Sequence, residues 1–325
     1  MTPRFLPHLG TLALISLFTL AGCGGSGSPE ADQASAEPGP ITVVSTNGMI
    51  ADLATRIGGS RANVHSLIGE GVDPHLYQPT RDDVTRMLAS DVILYNGLLL
   101  EANMDDALAA ARPPIKVVAV AESIPQDQLI YPEDGSSHPD PHVWLDPALW
   151  AYCSQGIVEV FSELRPEHAA EFKANEAAFR EECRALSEAC TTTIDGIPPE
   201  QRLLITSHDA FQYFGRATGL EVNAVQGIST ESEAGLADIE TLVDLITSRG
   251  IRTVFIETSV SPRGVEALVE GARARGVDVQ IGGALYSDSM GAPDSDAGTW
   301  PGMLRYNLAT ISSGLAPAAP SDGGP

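Results

Sequence analysis

Two stretches of alternating strand and helix patterns, residues 41–130 and 196–316, flank a charged helical run at 166–195 with almost no breakers. Strand, helix, strand, helix with short links builds parallel sheets covered by helices, so the expected class is α/β with two similar lobes. In the first stretch, residues 41–45 form a β-branched run, and Ile50, Leu53, Ala54 and Ile57 mark a helix that ends at Gly58-Gly59. Residues 64–68, 92–95 and 116–120 read as further strands, and Thr80-Arg81-Asp82-Asp83 has the form of a capping box. In the second stretch, residues 202–206, 253–257 and 277–281 read as strands. Leu236, Ile239, Leu242, Val243 and Ile246 mark a helix stopped by Gly250, and Ser261-Pro262 opens the next with Pro in its first position.

The intervening run places Phe172, Phe179, Cys183, Leu186 and Cys190 on one helix face. Some 25 residues at about 1.5 Å each give a rod of roughly 37 Å. That length suits a strut between two lobes, and an ordinary long surface helix is the alternative. Cys183 and Cys190, seven residues apart on such a helix, lie about 10 Å from one another, too far for a disulfide. With Cys153 they read as small apolar core residues.

The first forty residues carry export signals. Arg4 precedes an apolar stretch at 9–20 that is too short to span a bilayer. Leu20-Ala21-Gly22-Cys23 then has the form of a lipobox, which makes Cys23 the expected lipidation site and 1–22 the signal peptide. Residues 23–40, rich in Gly, Ser, Pro and acids, read as a flexible tether, and 317–325 as a frayed tail. The remaining boundaries are an N-terminal lobe at 41–165, a linking helix at 166–195 and a C-terminal lobe at 196–316.

The chain of 325 residues has 43 acidic against 19 basic residues, a net charge of −24. That balance argues against nucleic acid as a partner, since phosphate binding needs a basic surface. Cations are not repelled. His75, His142 and His208 each sit where a strand ends or a helix begins, and Asp288 follows the strand at 277–281 in the same way. Ligand crevices in open α/β sheets form at the carboxyl ends of strands. Asp-Pro-His occurs twice, at 73–75 and 140–142, and proline stiffens the backbone beside each imidazole. Three histidines and a carboxylate make a candidate site for a transition metal, although each histidine taken singly also reads as a solvated loop residue. His65 and His168 read as structural and His138 as exposed. No Gly-x-Ser-x-Gly elbow or P-loop is present.

At these residues the chain resembles the metal-binding lipoproteins of ABC importers for manganese, zinc or iron, the cluster A-I or TroA-like solute-binding proteins. The matching blocks include Gly71-Val72-Asp73-Pro74-His75-Leu76-Tyr77-Gln78-Pro79-Thr80, Pro141-His142-Val143-Trp144-Leu145-Asp146-Pro147, Ser207-His208-Asp209-Ala210-Phe211, Gly227-Ile228-Ser229-Thr230-Glu231 and Leu285-Tyr286-Ser287-Asp288. They run in family order over most of 41–315. The resemblance implies two α/β lobes joined by one long rigid helix, with the metal in the cleft between them. His75 and His142 would come from the first lobe, and His208 and Asp288 from the second. It also implies a monomer anchored through lipid on Cys23, exposed outside the cytoplasm, that hands its metal to a membrane permease and has no catalytic residue. Some manganese-type relatives carry Glu where this chain has His208. Three imidazoles and one carboxylate suit Zn²⁺ without excluding Mn²⁺ or Fe²⁺. The loop at 131–140 is short with one histidine, unlike the long His-rich loop of many zinc-specialised relatives. Two other readings are a surface adhesin or structural lipoprotein with incidental metal binding, and a zinc hydrolase using Asp209 or Glu231 as base.

Overall fold

The computed structural model describes residues 39–132 and 137–316. The expected signal peptide, Cys23 and its tether up to residue 38, positions 133–136 of the short loop, and the tail at 317–325 lie outside the described residues.

The β-branched run that opens the fold pairs as expected. Strand β1 (Ile41–Ser45) is flanked by β2 (Ala62–Ser66) and β3 (Val92–Tyr95), and β4 (Lys116–Ala119) adds to β3. All pairings are parallel, in the order β2-β1-β3-β4. Helix α1 (Gly48–Gly58) buries Met49, Ile50, Leu53, Ala54 and Ile57, the face its sequence period marks. Helix α2 (Arg81–Leu88) starts with the capping box of Thr80 and Asp83. A short α3 (Asp105–Ala110) precedes β4.

The second lobe follows a related plan with two separate two-stranded parallel sheets. Strand β5 (Leu203–His208) pairs in parallel with β6 (Glu221–Gln226), and β7 (Thr253–Glu257) pairs in parallel with β8 (Gln280–Leu285). Strands β5 and β7 lie side by side, so the spatial order is again second, first, third, fourth. Helices α6 (Gln212–Thr218), α7 (Leu236–Arg249) and α8 (Arg263–Ala274) connect them, and α9 (Trp300–Leu315) closes the lobe. In such an order the crevice opens where consecutive connections depart to opposite sides, beside the first and third strands.

Helix α4 (Pro147–Leu164) begins as expected, with Asp146 accepting from the Ala148 N–H and Pro147 in the first turn. Helix α5 (Ala169–Asp195) is 27 residues long, about 40 Å at ~1.5 Å per residue. A 3₁₀ turn at Pro166–His168 precedes it, so the regular helix starts later than the sequence suggests. Its face of Phe172, Phe179, Cys183, Leu186, Cys190 and Ile194 is buried in one core with all three tryptophans. It packs on α1 and α4 from one side of the chain and on α6 and α9 from the other. Cys153, Cys183 and Cys190 are free and buried. No described helix is long and apolar enough to cross a membrane.

Further elements differ from the sequence reading. Strand β2 begins two residues earlier, because its register is set by pairing Ile41 with Ala62. The strand expected at 277–281 is found at Gln280–Leu285, and Val277 and Val279 pack against the core ahead of it. Pro262 is the residue before α8 and makes no side-chain cap.

Candidate metal centre

Both Asp-Pro-His tripeptides fold into the same turn. The carboxylate of Asp73 accepts the backbone N–H of His75 at 2.8 Å, and that of Asp140 accepts the N–H of His142 at 2.9 Å. Proline between them has no N–H and a fixed φ, so the carboxylate reaches the second residue on, as in an Asx turn. The His142 loop is further pinned to the end of β3, where the Asn96 side chain donates to the Pro141 carbonyl at 3.0 Å. His208 is the last residue of β5 rather than a loop residue following it, and its backbone N–H donates to Glu257, the last residue of β7, at 2.9 Å. Asp288 lies beyond the end of β8. The Trp144 indole fixes its neighbour by donating to the Ser287 carbonyl at 2.7 Å.

These four side chains converge. His75, His142, His208 and Asp288 are buried, and each offers a ligand atom, all within 4.8 Å of one another. The Nε2 atoms of His75 and His208 each lie 3.2 Å from that of His142. Asp288 Oδ1 is 3.3 Å from His142 Nε2, and Oδ2 is 3.3 Å from His208 Nε2. A cation bonded at about 2.0–2.1 Å to tetrahedral nitrogen and oxygen ligands sets adjacent donors roughly 3.3 Å apart. The four separations just given have that length, and the set as a whole spans no more than 4.8 Å. Asp288 Oδ1 is also a buried oxygen with no hydrogen-bond donor, which is what a cation would satisfy.

Two carboxylates behind the ring nitrogens fix which lone pairs face inward. His142 Nδ1 lies 2.7 Å from Asp140 Oδ1, and His208 Nδ1 lies 2.5 Å from Glu257 Oε2. An Nδ1–H held this way leaves Nε2 as the ligand and makes it more basic. The sequence reading did not assign Asp140 or Glu257 this role. The Asp-Pro-His spacing itself carries the signal for Asp140. Nothing local marks Glu257, which meets His208 from 49 residues away.

The electrostatics follow from burial against these charges. Burial, helped by the neighbouring His142 and His208 and opposed by Asp288, pushes His75 down to about 3. Burial also opposes a charge on His142, but Asp140 and Asp288 outweigh it and raise the ring to about 9. In His208, burial is likewise outweighed, by Glu257 and Asp288, and its pKa lies well above the usual value. Asp288 is held well below the usual carboxylate range, because His208 and His142 overcome its burial.

A cavity of about 890 Å³ leads to His75 from outside and is lined by Leu99, Ile130, Asp209, Gln212 and Glu231 among others. Asp209, one of the two residues considered as a base, is engaged by the Gln212 side chain at 2.7 Å, and Glu231 is exposed at the cavity wall. His138 also lines this cavity and is exposed, His65 points outward from β2, and His168 packs edge-on against Phe172.

Residues 43–314 match the family described as ZnuA, zinc-uptake complex component A periplasmic. The chain is 43% identical over 303 residues to the manganese-binding lipoprotein MntA of Bacillus subtilis (strain 168), covering 93% of this chain and 97% of that protein. It is 41% identical over 281 residues to the zinc-binding protein TroA of Treponema pallidum (strain Nichols), covering 86% of this chain and 91% of that one. The solved structure of TroA from Treponema pallidum superposes with a TM-score of 0.82 at 41% identity, over 86% of this chain and 100% of that one. With a family match along nearly the whole folded chain and a solved relative of the same architecture, this chain belongs to the ZnuA family.

Proposed function

We propose that this protein captures a divalent transition metal, Zn²⁺ or Mn²⁺ with Fe²⁺ as a further candidate, outside the cytoplasm and delivers it to the permease of an ABC importer. His75, His142, His208 and Asp288 are its ligands. The observation that carries this reading is the convergence of four buried donors within 4.8 Å, with separations of 3.2–3.3 Å around His142 and Asp288 that are near the edge of a small tetrahedral shell. A shell closed in this way suits a carrier, whereas a hydrolase needs an open position for water. The names of the relatives support both metals, since the two quoted above bind manganese and zinc respectively at nearly equal identity to this chain.

In this reading the ion crosslinks the lobes by drawing His75 and His142 toward His208 and Asp288. Its release needs local movement of the loops that carry them. The lipobox supports acylation of Cys23, which would tether a monomer to a bacterial membrane through residues 23–40. The lobe boundaries at 41–165 and 196–316, with 166–195 as the link, belong to the same proposal.

The test is metal titration of the purified chain at pH 7.5 and pH 5, with elemental analysis of protein isolated without added metal. One ion per chain, bound more weakly at pH 5, is the expected result, because ligand nitrogens must shed their protons. Equal affinity at both values would sink the ligand assignment.

A further inference from the structure

We propose that Asp73 is a positioning residue that latches the two lobes over His75 and so sets how slowly the bound cation leaves. This inference rests on the metal-carrier reading given above.

Twin turns reveal the role by their difference. In the second turn, Asp140 uses one oxygen for both the backbone and the ring of His142. In the first, Asp73 Oδ1 accepts the His75 backbone N–H at 2.8 Å, and Oδ2 turns away from the ring. It accepts the hydroxyl of Thr230 at 2.5 Å, from the opposite lobe and 157 residues along the chain. Thr230 is buried and Asp73 half-buried, so this charge-assisted bond is partly shielded from solvent competition. A second clasp lies beside it, where the Gly71 N–H donates to the Ser289 hydroxyl at 3.1 Å, next to Asp288. The segment 71–75 is therefore tied to the second lobe at two points.

His75 is the ligand that this segment controls. Among the described residues no carboxylate holds its ring, in contrast to His142 with Asp140 and His208 with Glu257. It lines the cavity of about 890 Å³ that opens to solvent, while Asp288 lines a separate one. Its backbone is held by Asp73 and by the Asn103 side chain, which donates to the His75 carbonyl at 2.7 Å. Lifting His75 from the cation to open the cleft breaks the Asp73–Thr230 bond, and keeping that bond keeps the ligand seated.

Thr230→Val removes the hydroxyl at nearly constant volume and leaves the Asp73 turn intact. The experiment loads the protein with Zn²⁺, adds excess chromophoric chelator, and follows release by stopped flow. A hydrogen bond to a buried charged group predicts release roughly tenfold to a hundredfold faster for T230V. Thr230→Ser, which keeps the hydroxyl, is expected to restore a rate near that of the wild type. In an Asp73→Ala background, T230V is expected to add nothing further. Wild-type release rates in T230V, failure of T230S to rescue, or an undiminished T230V effect on top of D73A would each overturn the latch. Should the wild-type chain hold no stoichiometric Zn²⁺ before the chelator is added, the carrier reading itself fails instead.

Discussion

Replacing Glu101 with Gln is expected to remove a pH dependence of stability that this one carboxyl creates. Glu101 is buried at 2% exposure beside the first lobe's crevice. Its Oε1 accepts the Thr46 hydroxyl and the Asn96 N–H, both at 2.7 Å, and its Oε2 accepts the Gly97 N–H at 3.2 Å. Burial outweighs these donors and raises the carboxyl from 4.5 to about 7. In the unfolded chain the group ionises first. Its contribution therefore favours the folded state fully below pH 4.5 and is lost as pH rises through 7. At about 1.4 kcal/mol per pK unit, a rise of this size is worth roughly 3 kcal/mol. Glu101→Gln keeps the shape and cannot ionise, although its amide meets the Gly97 N–H where an oxygen stood. The variant should therefore be the less stable chain at pH 4.5, and its deficit should shrink by about 3 kcal/mol toward pH 8. Urea denaturation of both chains in a metal chelator, at steps across that range, measures the gap directly, because the site histidines titrate equally in both. A gap that stays constant with pH would refute the reasoning. Asn96, which Glu101 holds, is also the residue that pins the Pro141 carbonyl beside His142.

Other outcomes follow from the same geometry. Glu257→Gln withdraws the carboxylate from the His208 Nδ1–H, and metal affinity by calorimetry should fall about 10- to 100-fold with one ion still bound per chain. An unchanged affinity would mean that Glu257 does not set the His208 tautomer. Burial pushes the Cys183 thiol up to about 12, the Cys190 thiol up to about 11, and the Cys153 thiol well above its ordinary value. A thiol reagent at pH 8 should find none of them in the native protein and all of them in denaturant.

The fold was legible in the sequence where hydrophobic period and local chemistry agree. Thr80 and Asp83 form the expected capping box, and Asp146 with Pro147 starts α4 as read. The face of α5 from Phe172 to Cys190 is buried as its spacing requires. Strand β8 fails for a tertiary reason. The β-branched residues Val277 and Val279 attract the assignment, but the strand itself runs through Gly282 and Gly283, poor strand formers on intrinsic preference. Packing demands those glycines: a Cβ at Gly282 would lie 2.4 Å from the Thr253 methyl on β7. Register against a neighbour, invisible in one segment, decides the boundary. The site shows the same division. All four donors stand at strand or helix ends in residue types that ligate metals, so they could be picked one by one. Glu257 could not, because only the adjacency of β5 and β7 brings it to His208.

The carboxylates that the sequence reading left unassigned also explain how so buried a cluster tolerates both filled and empty states. Asp288, Asp140 and Glu257 together place an excess of negative charge around three imidazoles with almost no solvent. Uncompensated, that would be costly. The carboxylates raise His142 to about 9 and His208 well above its usual value, whereas His75 is pushed down to about 3. A divalent cation at the cluster would offset part of the negative charge, and the nitrogens that bind it must be free of protons. The same balance makes acid a competitor at the ligand nitrogens themselves. Among the described residues His75 is the one ring of the three with no carboxylate at its Nδ1, and the Asp73 turn holds its backbone instead.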